Sequence, residues 1–184
     1  MRKQLELFWG GFLIILSSFA MADSKIPDTK PQSQTMNNQR LGELIKRIDN
    51  KATGKPGQWE FTIESKVIRV ITDEKADRMR IITPIAKSEE LDKKQLYRLM
   101  QANFDSALDA RYSIANGLIW SAYIHPLSPL TDKEFLEGVA QVTNLAVTYG
   151  TSFSSGLLLF QGGDKGNIQR RKLIDDLLEK GLSI

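Results

Sequence analysis

Few residues in this chain are equipped for covalent chemistry. It contains one histidine, His125, and no cysteine. Thiol catalysis and cysteine-based metal sites are therefore excluded, and a multi-histidine metal centre cannot be built. A serine-type triad would have to use His125, with Ser121 or Asp132 as companions. His125 stands between Ile124 and Pro126, where a strand pattern ends, and no nucleophile or orienting acid is spaced beside it. It reads as a strand-end side chain rather than a general base. Gly162-Gly163-Asp164-Lys165-Gly166-Asn167 precedes a helical pattern carrying Arg170, Arg171 and Lys172. A helix start flanked by cations can hold an anion, but the Gly-Lys-Ser/Thr of a phosphate loop is missing, so the segment reads as a connector with a solvated basic turn. Asp73, Glu74 and Asp77, and the pair Glu89-Glu90, lack calcium-loop spacing and read as turn and cap residues. No catalytic residue, cofactor or metal is expected.

The start of the chain carries an address. Arg2 and Lys3 precede the mostly apolar stretch Leu5–Phe19, and Ala20-Met21-Ala22 has the small-x-small form of a cleavage site. This is the pattern of a bacterial secretory signal peptide cut after Ala22. Its apolar part is shorter than the about 20 residues that span a bilayer. The expected location is periplasmic or secreted, without a membrane span after cleavage; an uncleaved anchor helix is the other reading and faces the same compartment. An exported chain without cysteine depends on its core rather than on disulfides. The formal net charge is +3 and the sequence pI about 9.1. The basic residues are not gathered on one face, so nucleic acid is not an expected partner.

Residues 23–36 are rich in Pro, Ser, Gln and Thr and read as a flexible leader. Leu41, Leu44, Ile45 and Ile48 form one stripe of a first helix, stopped by Gly54-Lys55-Pro56-Gly57. Trp59, Phe61 and Ile63 alternate with polar residues, Ile68–Thr72 is β-branched, and Met79 and Ile81 open a third strand in which Pro84 marks an edge or the end of pairing. Ser88 with Glu89 and Glu90 suggests the start of a second helix, whose apolar side is Leu91, Leu96, Leu99 and Met100. Leu108, Ala110, Tyr112 and Ile114 alternate, and so do Leu118, Trp120, Ala122 and Ile124. Asn116-Gly117 between them is a hairpin signal, because a type I′ turn needs positive φ at both positions. Thr131 and Glu134 form a capping box ahead of Phe135, Val139, Val142, Ala146 and Tyr149. Leu157–Phe160 is a short apolar run, and Ile168, Leu173, Ile174, Leu177 and Leu178 give a final amphipathic helix. The order α-βββ-α-ββ-α plus a C-terminal helix predicts an α+β fold: a single antiparallel sheet of about five strands with helices on a face.

Asn103-Phe104-Asp105, Ala110-Arg111-Tyr112-Ser113-Ile114, the turn Asn116-Gly117, Leu118-Ile119-Trp120 and the capped helix from Thr131 resemble the central region of YbjN-type proteins, within the type III secretion chaperone-like fold. The likeness covers roughly residues 37–150 and leaves 151–184 as a C-terminal extension. It implies a non-enzymatic protein-binding domain, often dimeric. Those families are typically cytoplasmic, whereas this chain begins with an export pattern.

The alternation places Trp59, Phe61, Ile68, Val70, Met79, Ile81, Tyr112 and Trp120 toward the helices. The opposite face then carries Glu60, Glu64, Arg69, Arg80 and Arg111 together with Ile71, Ile82, Ile119 and Tyr123. So many apolar side chains on a wetted face call for a cover: a second subunit, the C-terminal helix with Phe153 or Leu157–Phe160, or a partner. Ile71, Ile82, Ile119, Tyr123, Arg80 and Arg111 are the candidate partner-binding residues. Asn103, Asp105 and Arg111 read as a helix exit, a loop acid and an outer-face arginine rather than a convergent cluster. The expected function is an exported protein-binding module, chaperone or assembly factor, with a protein partner or a second copy as its ligand. The alternative is a small-ligand or envelope-stress sensor with a pocket near Trp59 and Trp120.

Overall fold

Asn116 and Gly117 both take positive φ, 52° and 73°, as a two-residue type I′ turn requires. They join β5 (Arg111–Ala115) to β6 (Leu118–His125). The computed structural model describes residues 35–155 and 167–183. The signal peptide, nearly all of the leader, the Leu157–Phe160 run and the Gly162–Gly166 connector lie outside the described residues. The other elements are α1 (Asn38–Ile48), β1 (Thr53–Lys55), β2 (Gln58–Ile63), β3 (Lys66–Asp73), β4 (Arg78–Lys87), α2 (Lys93–Asp105), α3 (Asp132–Val147) and α4 (Asn167–Leu182). The strands form one antiparallel six-stranded sheet in the order β1-β2-β3-β4-β6-β5. The architecture is the α+β fold expected.

The sixth strand is β1, where the sequence suggested only a helix stop. Gly54 makes it possible: its φ is +130°, and a Cβ there would collide with the Gln58 carbonyl. Only glycine takes that conformation freely. Pro84 does not sit on an edge strand. It lies in β4 beyond the last rung with β3, Arg69 to Ile82, so its missing N–H forfeits no bond on that side. Pairing with β6 continues through a bulge between Pro84 and Ala86 to Lys87.

Capping chemistry sets the helix starts. The Asn37 side chain accepts from the Arg40 N–H at 2.9 Å, and Leu41, Leu44, Ile45 and Ile48 are buried as the stripe predicts. Thr131 and Glu134 satisfy each other's backbone donors at the start of α3. Ser88 begins only a 3-10 turn, Ser88–Glu90, and its N–H is spent on the Gly117 carbonyl at 2.9 Å. The second helix starts later, where Asp92 and Gln95 form a capping box.

The core lies between the sheet and α3. Trp59, Val70, Ile81 and Tyr123 are opposite one another on successive strands and share one face. Gly42 of α1 meets the Trp59 ring, and Gly138 of α3 lets that helix close on Tyr123 and Ile81. Gly181 of α4 rests on Leu136 of α3, and the Arg47 guanidinium of α1 donates to the Gly181 carbonyl at 3.0 Å. Helix α4 therefore packs on the helices, away from the sheet. This arrangement explains why α3 is buried almost all round from Phe135 to Ala146.

Candidate functional site

The residues once considered for catalysis do not converge. Ser121 and His125 are four positions apart on one strand, about 13 Å along it, with Tyr123 between them. The His125 and Tyr123 rings stack with centroids 6.0 Å apart, and His125 Nδ1 faces the Pro126 carbonyl at 2.7 Å. Ser121 is fully buried, and its hydroxyl has no hydrogen-bond partner among the described residues. Asp132 accepts from Arg40 Nε at 2.8 Å, an ion pair between α3 and α1. The acidic pairs do turn and cap work. Asp73 accepts from the N–H groups of Lys75 and Ala76, and Glu74 accepts from the N–H of Asn38. Among the described residues no three acids or histidines could hold a metal ion.

The sheet face turned away from the helices is the surface that matters. Its rungs follow from the register. Gln58, Ile71, Arg80 and Ile124 lie in one row, and Glu60, Arg69, Ile82, Ala122 and Arg111 in the next. Pro84, Trp120 and Ser113 make a third. Ile71 is 37 % and Ile124 59 % exposed. Ile82, Pro84, Trp120 and Ala122 are half-buried by neighbours within the sheet. Among the described residues no helix covers this face: α4 lies on the far side, and Phe153 packs against Tyr112 and Tyr149 at 6.1 and 5.9 Å, with the Arg98 guanidinium over its ring at 5.0 Å. Charge is distributed unevenly on it. Arg69 is paired with Glu60 at 2.8 Å, whereas Arg80 makes no ion pair among the described residues.

Two of the six expected surface residues belong to the core. Ile119 and Tyr123 are 0 % and 6 % exposed and face α3, while Trp120, expected inside, faces out. The cause is the hairpin. A two-residue loop sets Tyr112 opposite Ser121 and Ser113 opposite Trp120, and directly opposed residues share a face. With Tyr112 buried, Trp120 must point outward. Burial raises the Tyr123 phenol to about 12, and the nearby acids Asp109, Glu134 and Glu137 add to the shift. The other four, Ile71, Ile82, Arg80 and Arg111, do lie on the outer face. Arg111 is committed locally, its guanidinium donating to the carbonyls of Ala107, Leu108 and Ala110. Trp59 and Trp120 lie on opposite faces and frame no common pocket.

Both edges of the sheet are blunted against a further strand. Strand β1 has only three residues. Along β5, the Asn103 side chain of α2 accepts from the Tyr112 N–H at 2.7 Å and donates to its carbonyl at 3.1 Å. The amide takes the place of a neighbouring strand's peptide group, a recognised way to blunt an edge. Sequence reading missed this role for Asn103; its position at a helix exit just ahead of a strand was the only available sign.

Helix α2 carries a second apolar surface, which takes in Leu96 and Met100 of the apolar side expected from the sequence. Leu99 and Ala102 are buried, but Leu96, Tyr97, Met100 and Phe104 are 40, 67, 51 and 91 % exposed. Leu96, Met100 and Phe104 follow one another at i, i+4 and i+8 and form a continuous outward stripe.

The architecture is similar to three solved structures. The first is the Yersinia pestis type III secretion chaperone SycH in complex with a stable fragment of YscM2: 14 % identity, TM-score 0.48, covering 61 % of this chain and 98 % of that one. The ExsC–ExsE complex gives 15 %, 0.47, 59 % and 86 % in the same order. The HopA1–SchA chaperone–effector complex gives 11 %, 0.46, 61 % and 94 %. No family model matches the chain, and no curated protein does either.

Proposed function

We propose that this chain is an exported, non-enzymatic protein-binding module, a chaperone or assembly factor that holds a protein partner on the outer face of its sheet. The observation that carries the reading is that face: an apolar patch of Ile71, Ile82, Trp120 and Ile124, uncovered by any described element. Monomeric proteins seldom leave such patches unused. At the β5 edge, strand addition would first have to displace Asn103, which favours binding on the face. The YbjN-type likeness around Asn103–Trp120 agrees with a binding role. Export is supported by Arg2, Lys3, the apolar stretch to Phe19 and Ala20-Met21-Ala22. Cell fractionation with N-terminal sequencing tests it: the mature chain should begin at Asp23 in the envelope or medium, and an intact cytoplasmic chain would refute export. For the binding role, a photo-crosslinker at position 82 in cells should capture one reproducible chain, and Ile124→Asp should abolish the capture while leaving the fold intact. No adduct at any position on this face would refute it.

A homodimer through α2 is favoured by the exposed stripe. In an antiparallel pair centred on Met100, Leu96 of one copy meets Phe104 of the other, and Lys93 and Lys94 approach Asp105. Light scattering should give twice the chain mass for the wild type and the chain mass for Phe104→Glu. A monomeric wild type at high concentration would overturn the dimer and leave the sheet-face reading intact.

A further inference from the structure

We infer that the partner segment seated on the outer sheet face is amphipathic and acidic, and that Arg80 selects it by charge. This rests on the sheet-face reading above and names the chemistry of its ligand. Arg80 stands in the middle of the patch, in register with Ile71 on β3 and Ile124 on β6. Ile82 follows two residues on along the same face. The guanidinium is thus bordered by apolar side chains on three sides. A cation in such a setting is partly desolvated once the face is covered, and is then costly unless a carboxylate arrives with the cover.

The face cannot supply that carboxylate. Glu60 is engaged with Arg69 at 2.8 Å. Asp73, at the end of β3 and opposite Arg78, accepts from the N–H groups of Lys75 and Ala76. With Glu60 set against Arg69 and Asp73 against Arg78, Arg80 and Arg111 leave the face with an excess of positive charge. The same excess argues against a second copy as the occupant, because a two-fold interface sets the like-charged face against itself, and with its axis at the patch centre Arg80 against Arg80. A basic segment is disfavoured for the same reason. The fitting ligand carries apolar residues for Ile71, Ile82 and Ile124 and a Glu or Asp between them for Arg80.

The test uses the purified full-length protein and two synthetic amphipathic peptides with one apolar pattern, one bearing glutamates and the other lysines at the polar positions. Binding is read by fluorescence anisotropy of the labelled peptide at low and high salt. The glutamate peptide should bind about tenfold more tightly at low salt, with the margin shrinking as salt screens the charges. Arg80→Glu should reverse the preference, and Arg80→Gln should remove it without reversal. Arg80 is exposed, so both variants should fold, which circular dichroism checks. Equal affinity of the two peptides for the wild type, or a preference unchanged by Arg80→Glu, overturns the inference. Equal binding that Ile82→Asp abolishes sinks the charge selection alone and preserves the sheet-face reading. Binding of neither peptide, together with a doubling of mass in Arg80→Glu, would assign the face to a second copy and overturn the acidic ligand.

Discussion

Ile119 and Ile124 lie five residues apart on one strand and have opposite fates. Ile119 is fully buried under α3, whereas Ile124 stands on the open face. An aspartate at position 119 would bury an unpaired charge, at a cost of about 4 kcal/mol or more, comparable to the whole stability of a marginal domain. At 124 the same substitution stays solvated and should change stability by no more than about 0.5 kcal/mol. Urea unfolding followed by circular dichroism separates the two: Ile119→Asp should not fold cooperatively, and Ile124→Asp should keep its midpoint. Two equal midpoints would mean that the faces of β6 are assigned wrongly. The information was present in the sequence. A two-residue loop after Ala115 forces residues of opposite parity to face each other, so Tyr112 inside already implies Trp120 outside. Apolarity misled, because Leu118, Trp120, Ala122 and Ile124 are a greasier set than Ile119, Ser121 and Tyr123.

Among the elements, α2 and β5 show how one side chain can control an edge. The Asn103 amide satisfies both backbone groups of Tyr112. Asn103→Ala would leave two peptide groups unpaired within the fold, for a loss of about 1–2 kcal/mol. It would also open β5 to strand addition. A lower unfolding midpoint together with association that grows with protein concentration is the expected result. A lower midpoint without association would limit Asn103 to a structural bond. Caps and turns were legible element by element: Thr131–Glu134 and Asn116-Gly117 form as their local chemistry requires. The exposed side of α2 was not. A stripe of Leu96, Met100 and Phe104 looks the same in sequence whether it meets a core or a partner.

Across the molecule, hydrogen-bonded carboxylates join separate parts of the chain. Asp77, in the β3–β4 turn, accepts from the Ser128 N–H at 2.6 Å and from its hydroxyl at 2.9 Å, holding the loop ahead of α3. The backbone bond from Ser128 does most to lower the Asp77 carboxyl below its ordinary value, and the Thr131 backbone does the same for Glu134. A group depressed in the folded state stabilises above its unfolded value and loses that contribution as pH falls through the folded one. Tyr123 has the opposite sign. Raised from 10.0 to about 12 by burial, it favours the fold below pH 10 and loses that contribution between the two values. Thermal melts should therefore show a stability plateau from about pH 4 to about pH 10. Asp77→Asn should make the acid limb shallower, with Glu134 keeping part of it, and Tyr123→Phe the alkaline one, where the buried Tyr112 phenol is also raised. Limbs unchanged in both variants would contradict these assignments.

The α+β class, the helix start at Thr131 and the hairpin follow from the chain alone, because each rests on local periodicity, capping or turn chemistry. Where α4 packs, what Asn103 bonds and which apolar surfaces stay open emerged only with the folded molecule. Those outcomes depend on contacts between segments far apart in the chain. A pattern of apolar residues records that a surface needs a cover without recording what supplies it.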